Sequence, residues 1–306
     1  MDRIPFGYAF NFDNYLFNKI KHINTQGIDL RADYFVINNV KKRIEAKIHF
    51  SIRNGHAYSP YKSLFGSFEF NPRLHPNLLL EFWTYIENDL KARGITTISI
   101  TNFAACYSPK KADTIQNVLS KANFSISNKA VNHHIHVSDR PLETVMHPME
   151  IRRLNKCKKN NFSFRKETKD SALEIYEYLM ECREEQGLNL SITRETLLDY
   201  INRFPGDYSI FSVRSDKRLL AATITVRVHR KILYNFLPGS LKKFKHFSPT
   251  VMLLEGLYQY CQKNNFEILD LGISTKSDGK DQPTLIKFKE NMGGEKGYKY
   301  FFKKHL

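Results

Sequence analysis

A degenerate internal repeat constrains the fold of this chain more than any other feature of its sequence. Residues 61–100 align with residues 234–273 at a constant offset of 173 positions and without a gap. Nine of the forty positions are identical: Tyr61 with Tyr234, Leu64 with Leu237, Gly66 with Gly239, Ser67 with Ser240, Pro76 with Pro249, Leu80 with Leu253, Tyr85 with Tyr258, Ile95 with Ile268, and Ile100 with Ile273. Both copies read as an apolar strand, a Gly-Ser turn, a polar loop, a helix that begins at proline and a second strand. Since solenoid repeats span only about 20 to 50 residues, the pattern predicts two fused domains of one fold.

Hydrophobic periodicity predicts the same element order, strand, strand, strand, helix, strand, helix, strand, in both halves. Helices are predicted at 76–93, 109–122, 149–160, 171–186, 193–203, 249–263 and 285–291, and strands at 33–38, 45–51, 63–70, 95–101, 131–137, 162–166, 208–214, 219–229, 231–237, 268–273 and 298–303. Two prolines and a loss of periodicity mark residues 140–148 as the junction. The predicted domains are therefore residues 1–145 and 146–306.

Charge and composition limit the partners and the compartment that we expect. The net charge of +16 favours polyanions such as RNA, DNA, an anionic membrane or a phosphate-rich donor, although a merely basic protein fits equally well. Four scattered cysteines without a CxxC pair fit reduced thiols better than disulfides. Residues 1–20 carry several charges and no window holds eighteen apolar residues, so neither a signal peptide nor a membrane span is expected. We expect a soluble, cytoplasmic protein.

Three stretches of the second half carry a family resemblance. They are the basic helix 151–159 with strand residues 162–164, the strand, Gly-Ser turn and Ser-Pro helix start of 233–254, and the Asp-x-Gly strand 268–274 with the Phe-Lys helix 285–289 and Gly293-Gly294. In this order they resemble the GNAT acyltransferase superfamily, specifically its Fem-type (FemAB-like, peptidoglycan-bridge) branch. The resemblance covers nearly all of residues 149–306, and the repeat extends it to the first half. It implies an α/β (α+β) fold of two tandem GNAT-like domains, each a mixed, mostly antiparallel sheet flanked by helices.

The sequence departs from acetyl-CoA-dependent GNAT proteins in the loop that precedes the helix at Pro249. The glycine-rich pattern for binding pyrophosphate does not occur between Gly239 and Thr250. Fem-type proteins tend to lack this pattern as well. The departure therefore fits the branch, and it puts simple acetyl-CoA use in doubt.

The same loop is the candidate site for the phosphates of a donor. Its candidate ligands are Lys242, Lys243, Lys245, His246, Ser248 and Thr250. Ser248 is a predicted N-cap, and the positive end of a helix dipole attracts phosphate. The aligned loop of the first half is far less basic, so we expect only the second domain to hold the donor. A solvated basic turn with an ordinary cap is the alternative.

The resemblance places catalysis at Lys289 and Asp270. Lys289 matches the lysine of the family's Phe-Lys helix, so it would contact the donor phosphate or the oxyanion that develops during transfer. Because Lys287 and Glu290 flank it, an exposed helix lysine is the alternative. Asp270 would orient the attacking amine or cap a turn.

Three residues near the ends of the predicted strands are candidates to bind the acceptor: Tyr234, Asn235 and Ser274. A core position suits Tyr234 equally well. Acyl transfer to an amine needs no catalytic triad, because proximity and orientation supply much of the rate. The general base stays open between His246, Asp270 and a relayed water.

Two other groups of residues suggest weaker sites. In a strand, His134 and His136 would share one face and His133 the other, and we expect no carboxylate or cysteine nearby to complete a site, so no metal is expected. The basic residues of helix 149–160 could bind RNA or form a solvated face.

Three hypotheses for the function follow. The first is an N-acyltransferase that moves an acyl or aminoacyl group from acyl-CoA (acetyl-CoA) or aminoacyl-tRNA to a small-molecule or cell-wall-precursor amine, with the first domain shaping the acceptor site. The alternatives are a non-catalytic RNA-binding protein and a scaffold whose basic face contacts an acidic partner or a membrane surface, each on a degenerate acyltransferase fold. The sequence does not determine the oligomeric state.

Overall fold

Helices and strands alternate along the chain, each where the apolar periodicity of the sequence favours it. The structure, a computed structural model, describes residues 7–27, 30–275 and 279–306. The helices are α1 (Ile20–Ile23), α2 (Pro76–Ala92), α3 (Pro109–Lys121), α4 (Pro148–Lys159), α5 (Ala172–Glu184), α6 (Arg194–Arg203), α7 (Pro249–Lys263) and α8 (Pro283–Asn291). The strands are β1 (Ala9–Phe10), β2 (Leu30–Asn38), β3 (Arg43–Arg53), β4 (His56–Ser59), β5 (Glu69–Phe70), β6 (Thr97–Thr101), β7 (Ser125–His136), β8 (Ser163–Glu167), β9 (Tyr208–Ser215), β10 (Arg218–His229), β11 (Ile232–Asn235), β12 (Ile268–Ile273) and β13 (Glu295–His305).

The chain divides into two compact units whose bounds differ from the predicted domains. One unit comprises Met1–Ala130 and Gly297–Leu306, and the other Val131–Lys296. The last residues fall in the first unit because β13 pairs with β6, with Phe301 opposite Thr101.

The first unit is built on β3, which pairs antiparallel with β2, β4 and β5 and parallel with β1. Strands β4 and β6 are parallel, and β6 and β13 are antiparallel. The apolar stripe predicted for α2 is buried, and the ring of Trp83 packs edge-on against that of Phe124, with centroids 4.9 Å apart.

In the second unit, the paired strands follow the order β8, β9, β10, β11, β12, with residues 132–136 of β7 beside β12. All these pairs are antiparallel except β11 and β12, which are parallel. Helix α7 packs on β9 and β10 and buries Leu253, Leu257 and Cys261. The predicted α/β fold with a mixed, mostly antiparallel sheet is confirmed.

Each unit contains a parallel strand pair joined by a helix that begins at proline, β4–α2–β6 in the first and β11–α7–β12 in the second. Parallel neighbours require such a crossover connection. The two copies of the repeat match in their order of strands and helices, but aligned residues do not always occupy the same place in them. Tyr234 lies in β11, whereas the aligned Tyr61 follows the end of β4.

The strand predicted at 63–70 is wrong over most of its length. Only Glu69–Phe70 is extended and paired, as β5. Ser67 has a φ of 78°, which turns the chain out of the β-region, and its amide donates to Oγ of Ser59 at 3.0 Å. The strand that pairs in parallel with β6 is β4, which is too short for its periodicity to be recognised.

Candidate functional site

The carboxyl ends of β11 and β12 form the centre of the candidate site. Their parallel register runs from Ile232 opposite Ile268 to Tyr234 opposite Asp270. The chain continues from β11 to α7 and from β12 to α8. Loops and helix starts beyond the carboxyl ends of parallel strands are where open α/β sheets bind ligands.

A bulge in β12 shapes the backbone at this point. The register with β7 shifts between Asp270 and Gly272, and Gly272 has a φ of 74°. Oδ1 of buried Asp270 accepts hydrogen bonds from the amide of Gly272 at 2.8 Å and from Nδ2 of Asn132 at 2.9 Å. The carboxylate therefore holds the bulge and joins β12 to β7, which fits the turn-capping alternative for Asp270.

Lys289 projects from α8 to this bulge. Its Nζ donates to the carbonyl oxygens of Gly272 at 2.8 Å and Ile273 at 3.0 Å, and its residue is only 6% exposed. Burial lowers the pKa of Lys289 to about 8, and the negative charge of Asp270 opposes this shift. The exposed-lysine alternative is wrong for Lys289, whereas its neighbour Lys287 is exposed.

His133 on β7 and Ser274 after β12 complete the buried polar group. Nδ1 of His133 lies 3.4 Å from Oγ of Ser274, and both residues are fully buried. Burial lowers the pKa of His133 to about 4, with the charge of Lys289 acting in the same direction, so the imidazole is neutral at neutral pH. Sequence reasoning did not assign His133 to the site, because nothing local to residue 133 indicates that β7 lies beside β12.

The candidate acceptor residues of β11 point to different partners. Tyr234 is half-buried and lies against Gly272, and both burial and Asp270 raise the pKa of its hydroxyl. Oδ1 of buried Asn235 instead accepts a 2.6 Å hydrogen bond from Oγ1 of Thr223 on β10. The structure thus brings Tyr234, Ser274, Asp270 and Lys289 together around the bulge, with Asn235 bound to the neighbouring strand.

Comparison with protein families decides what kind of domain surrounds this site. The family described as an acetyltransferase (GNAT) domain matches residues 149–299. This part of the chain is a GNAT domain. The match includes β11, α7, β12 and α8, whereas β7, which carries His133, precedes it.

Solved structures resemble the chain beyond the GNAT domain. FemX is 12% identical with a TM-score of 0.71, covering 95% of this chain and 92% of its own. L-PGS from Bacillus licheniformis is 13% identical with a TM-score of 0.58, covering 93% and 86%. A tandem GNAT protein from the clavulanic acid biosynthesis pathway is 11% identical with a TM-score of 0.53, covering 91% and 84%. At such identities the likeness shows the fold, and it confirms the Fem-type GNAT resemblance.

No curated protein matches the chain by sequence. Among the described residues, no helix has the length and apolar character required to cross a bilayer.

The lysines of the basic loop of the GNAT domain are exposed, whereas Phe244 among them is buried. It forms a 3-10 helix over Lys242–Phe247. Lys242 and Lys243 lean on the end of α5: the amide of Lys242 donates to Glu185 at 2.7 Å, and Nζ of Lys243 lies 4.0 Å from Glu181. These carboxylates offset part of the positive charge, whereas Lys245 and His246 are exposed.

The prediction that Ser248 caps α7 is wrong. Ser248 has a φ of 56°, and its side chain makes no capping hydrogen bond to the helix. Its Oγ instead donates to the carbonyl oxygen of Lys245, in the preceding 3-10 helix, at 3.4 Å. A cap residue needs extended backbone to aim its oxygen at the first turn, as Thr193 does for the amide of Thr196 at 3.3 Å.

The expectation that no carboxylate approaches the paired histidines of β7 is also wrong. Nε2 of His134 lies 3.2 Å from Nε2 of His136, which lies 3.9 Å from Oε2 of Glu295 at the start of β13. The sequence hides this proximity because Glu295 is remote in the chain. As predicted, His133 faces a different environment, beside Ser274.

Much of the basic helix α4 binds groups of its own unit. Nζ of Lys156 donates to the carbonyl oxygen of His246 at 2.7 Å, Lys158 pairs with Glu143, and Arg153 pairs with the buried carboxylate of Glu150. These contacts give three of the basic side chains of α4 a structural role.

Proposed function

We propose that this protein is an N-acyltransferase that forms an amide by transferring an acyl or aminoacyl group to an amine. The observation that carries the proposal is the buried ammonium of Lys289, held at the carboxyl ends of the parallel strands of a GNAT domain. Burying a charged group is costly unless it is hydrogen-bonded. Within the described part of the chain, Nζ of Lys289 donates to two carbonyl oxygens, and an ammonium has three N–H groups, so a third donor can serve a ligand oxygen.

The proposed reaction needs one bond formed and one broken. The neutral amine attacks the carbonyl carbon of a thioester or ester, which forms the C–N bond and places negative charge on the carbonyl oxygen. The ammonium of buried Lys289 stabilises that charge. Collapse of the intermediate breaks the C–S or C–O bond, and the leaving group takes up the proton that the amine loses.

The proton passes through groups that face the bulge. The neutral imidazole of His133 can accept a proton at one nitrogen and release it at the other, and Oγ of Ser274 lies within reach of its Nδ1. Asp270 fixes the backbone geometry, since its Oδ1 already accepts two hydrogen bonds. His246 is instead exposed on the basic loop, where its ring lies against that of Phe247, which disfavours it as the base.

The donor is a phosphate-bearing molecule, acyl-CoA or aminoacyl-tRNA. The exposed cations before α7 support phosphate binding, and the net charge of +16 suits either donor. A small-molecule or cell-wall-precursor amine is the proposed acceptor, by analogy with the Fem-type fold.

A thermal-shift titration tests the donor class. The melting point is measured with increasing coenzyme A and, separately, deacylated tRNA, each at low and high salt. A ligand that binds only the folded state raises the melting point with concentration. The salt dependence of binding grows with the number of phosphates contacted. Stabilisation by tRNA should therefore fall steeply from low to high salt, and stabilisation by coenzyme A should fall less.

Matched variants locate the donor site. Lys245→Ser should weaken the stabilisation by the ligand. Lys263→Ser, which changes an exposed lysine at the C-terminal end of α7, should not. Stabilisation by tRNA without any transfer to amines would support the RNA-binding alternative. No stabilisation by either ligand would contradict the proposed donors and favour a scaffold.

A further inference from the structure

Three metal-ligand side chains converge at the edge of the second unit, apart from the Lys289 group. His134 and His136 lie two positions apart on β7 and therefore share a face, and Glu295 begins β13. One ligand atom from each side chain can be chosen so that all lie within 4.8 Å of one another.

The distance between the imidazoles matches shared coordination. Nε2 of His134 and Nε2 of His136 are 3.2 Å apart. Two nitrogens that each lie about 2.0 Å from one tetrahedral ion are about 3.3 Å apart. The rings are nearly perpendicular, at 80°, so their lone pairs can converge on one point.

The carboxylate is placed to join them. Oε2 of Glu295 is 3.9 Å from Nε2 of His136, and its side chain is 62% exposed, so a rotation about its side-chain bonds can close the remaining gap. Asp270 stands directly opposite His134 in the β7–β12 pair, which adds a negative charge next to a bound cation.

We propose that His134, His136 and Glu295 form a binding site for a divalent transition-metal ion of the zinc type. Two neutral imidazoles and one carboxylate are a ligand set that suits Zn²⁺ and not Mg²⁺, which prefers oxygen ligands. Three protein ligands leave a fourth position to water.

A bound ion would have a structural consequence near Lys289. Helix α8 ends at Asn291, and Glu295 follows four residues later. Coordination of Glu295 would tether the segment that follows α8 to β7. This would restrict the movement of α8, the helix that carries Lys289. The ion therefore stabilises the fold, which gives the site a readout that is independent of activity.

The test uses the full chain freed of metal with a chelator. Zn²⁺ binding is measured by calorimetry and by the change in melting point, Co²⁺ serves as an absorbing probe of the ligands, and Mg²⁺ is the negative control. We expect one Zn²⁺ per chain and a higher melting point. His136→Ala and Glu295→Gln alter exposed side chains, so both variants should fold. Each should weaken Zn²⁺ binding at least about tenfold, because even the loss of a residue that only hydrogen-bonds to a metal ligand weakens binding by this factor.

Two exposed residues provide matched controls. His305 ends β13 as His136 ends β7, and Glu290 is an exposed carboxylate near Glu295, so His305→Ala and Glu290→Gln should leave Zn²⁺ affinity unchanged. Absence of Zn²⁺ binding would overturn the proposal. So would affinity that survives His136→Ala, or a Co²⁺ spectrum with thiolate bands, since these place the metal elsewhere.

Discussion

Lys289 on α8 donates a hydrogen bond of 2.8 Å to the carbonyl oxygen of Gly272, the residue of β12 at which pairing with β7 resumes after the bulge. The bulge turns this carbonyl towards the helix, and Asp270 holds the bulge through the amide of the same glycine at 2.8 Å. A helix lysine and a strand distortion therefore depend on one another. Removal of either should disturb the candidate active site.

Lys289→Met should abolish most of the transfer activity. Losing a preorganised donor to an oxyanion costs roughly 10² to 10³ in kcat. The exposed neighbour gives the control, because Lys287→Met changes the same residue type on the same helix and should retain full activity. Circular dichroism checks that both variants fold. Full activity in a folded Lys289→Met protein would remove this lysine from the mechanism.

The free energy of unfolding of the unmodified protein, compared with that of Lys289→Met, should rise with pH above pH 8. Burial lowers the pKa of Lys289 from 10.5 to about 8, so between these values the unfolded chain holds a proton that the folded chain has released. Stability increases with pH wherever the unfolded state binds more protons. The difference in the free energy of unfolding should be flat below pH 8 and should grow by about 3 kcal/mol up to pH 10.5. Urea unfolding of both proteins across this range measures it, and a flat difference throughout would contradict a lowered pKa.

Asp270→Asn should lower the pKa of Lys289 further. The carboxylate now raises that pKa against the effect of burial, and the substitution removes the charge while keeping an oxygen that accepts from Gly272. NMR titration of the lysine side-chain nitrogens would follow the change directly. A pKa that stays the same or rises would show that Asp270 does not act on Lys289 through its charge.

Gly272→Ala should destabilise the fold more than Gly94→Ala does. Both glycines have a φ of 74°, so both substitutions carry the same backbone strain, about 1 kcal/mol. A Cβ at 272 would lie 3.0 Å from Cε2 of Tyr234, whereas one at 94 meets no atom within 4 Å. The clash should add roughly 1 to 3 kcal/mol in denaturant unfolding. Equal losses for the two variants would mean that Tyr234 moves aside freely.

The two helix starts of the GNAT domain should respond differently to substitution. Thr193→Ala removes a capping hydrogen bond and should cost about 1 kcal/mol of stability. Ser248 makes no such bond and has left-handed backbone, so Ser248→Gly should stabilise the protein by up to about 1 kcal/mol. Thermal unfolding distinguishes these outcomes, and a loss of stability in Ser248→Gly would contradict them.

Local patterns were sufficient for most helices and strands. The apolar stripe of α2 is buried as its spacing predicts, and Thr193 caps α6. The same reasoning placed a strand over 63–70 and a cap at Ser248, where a positive φ at Ser67 and at Ser248 changes the direction of the chain. Backbone conformations of this kind depend on packing, and these serines carry no sequence signal for them.

The sequence by itself determined the element order, the repeated strand–helix–strand unit and the Fem-type GNAT resemblance, because these follow from periodicities and motifs within short stretches of chain. Only the tertiary structure decided which remote residues meet. It placed His133 beside Ser274, Asn132 beside Asp270, and Glu295 near His136. Each contact requires β7 or β13 to take a particular register, and that register is set by pairing and burial across the whole unit, which no local pattern encodes.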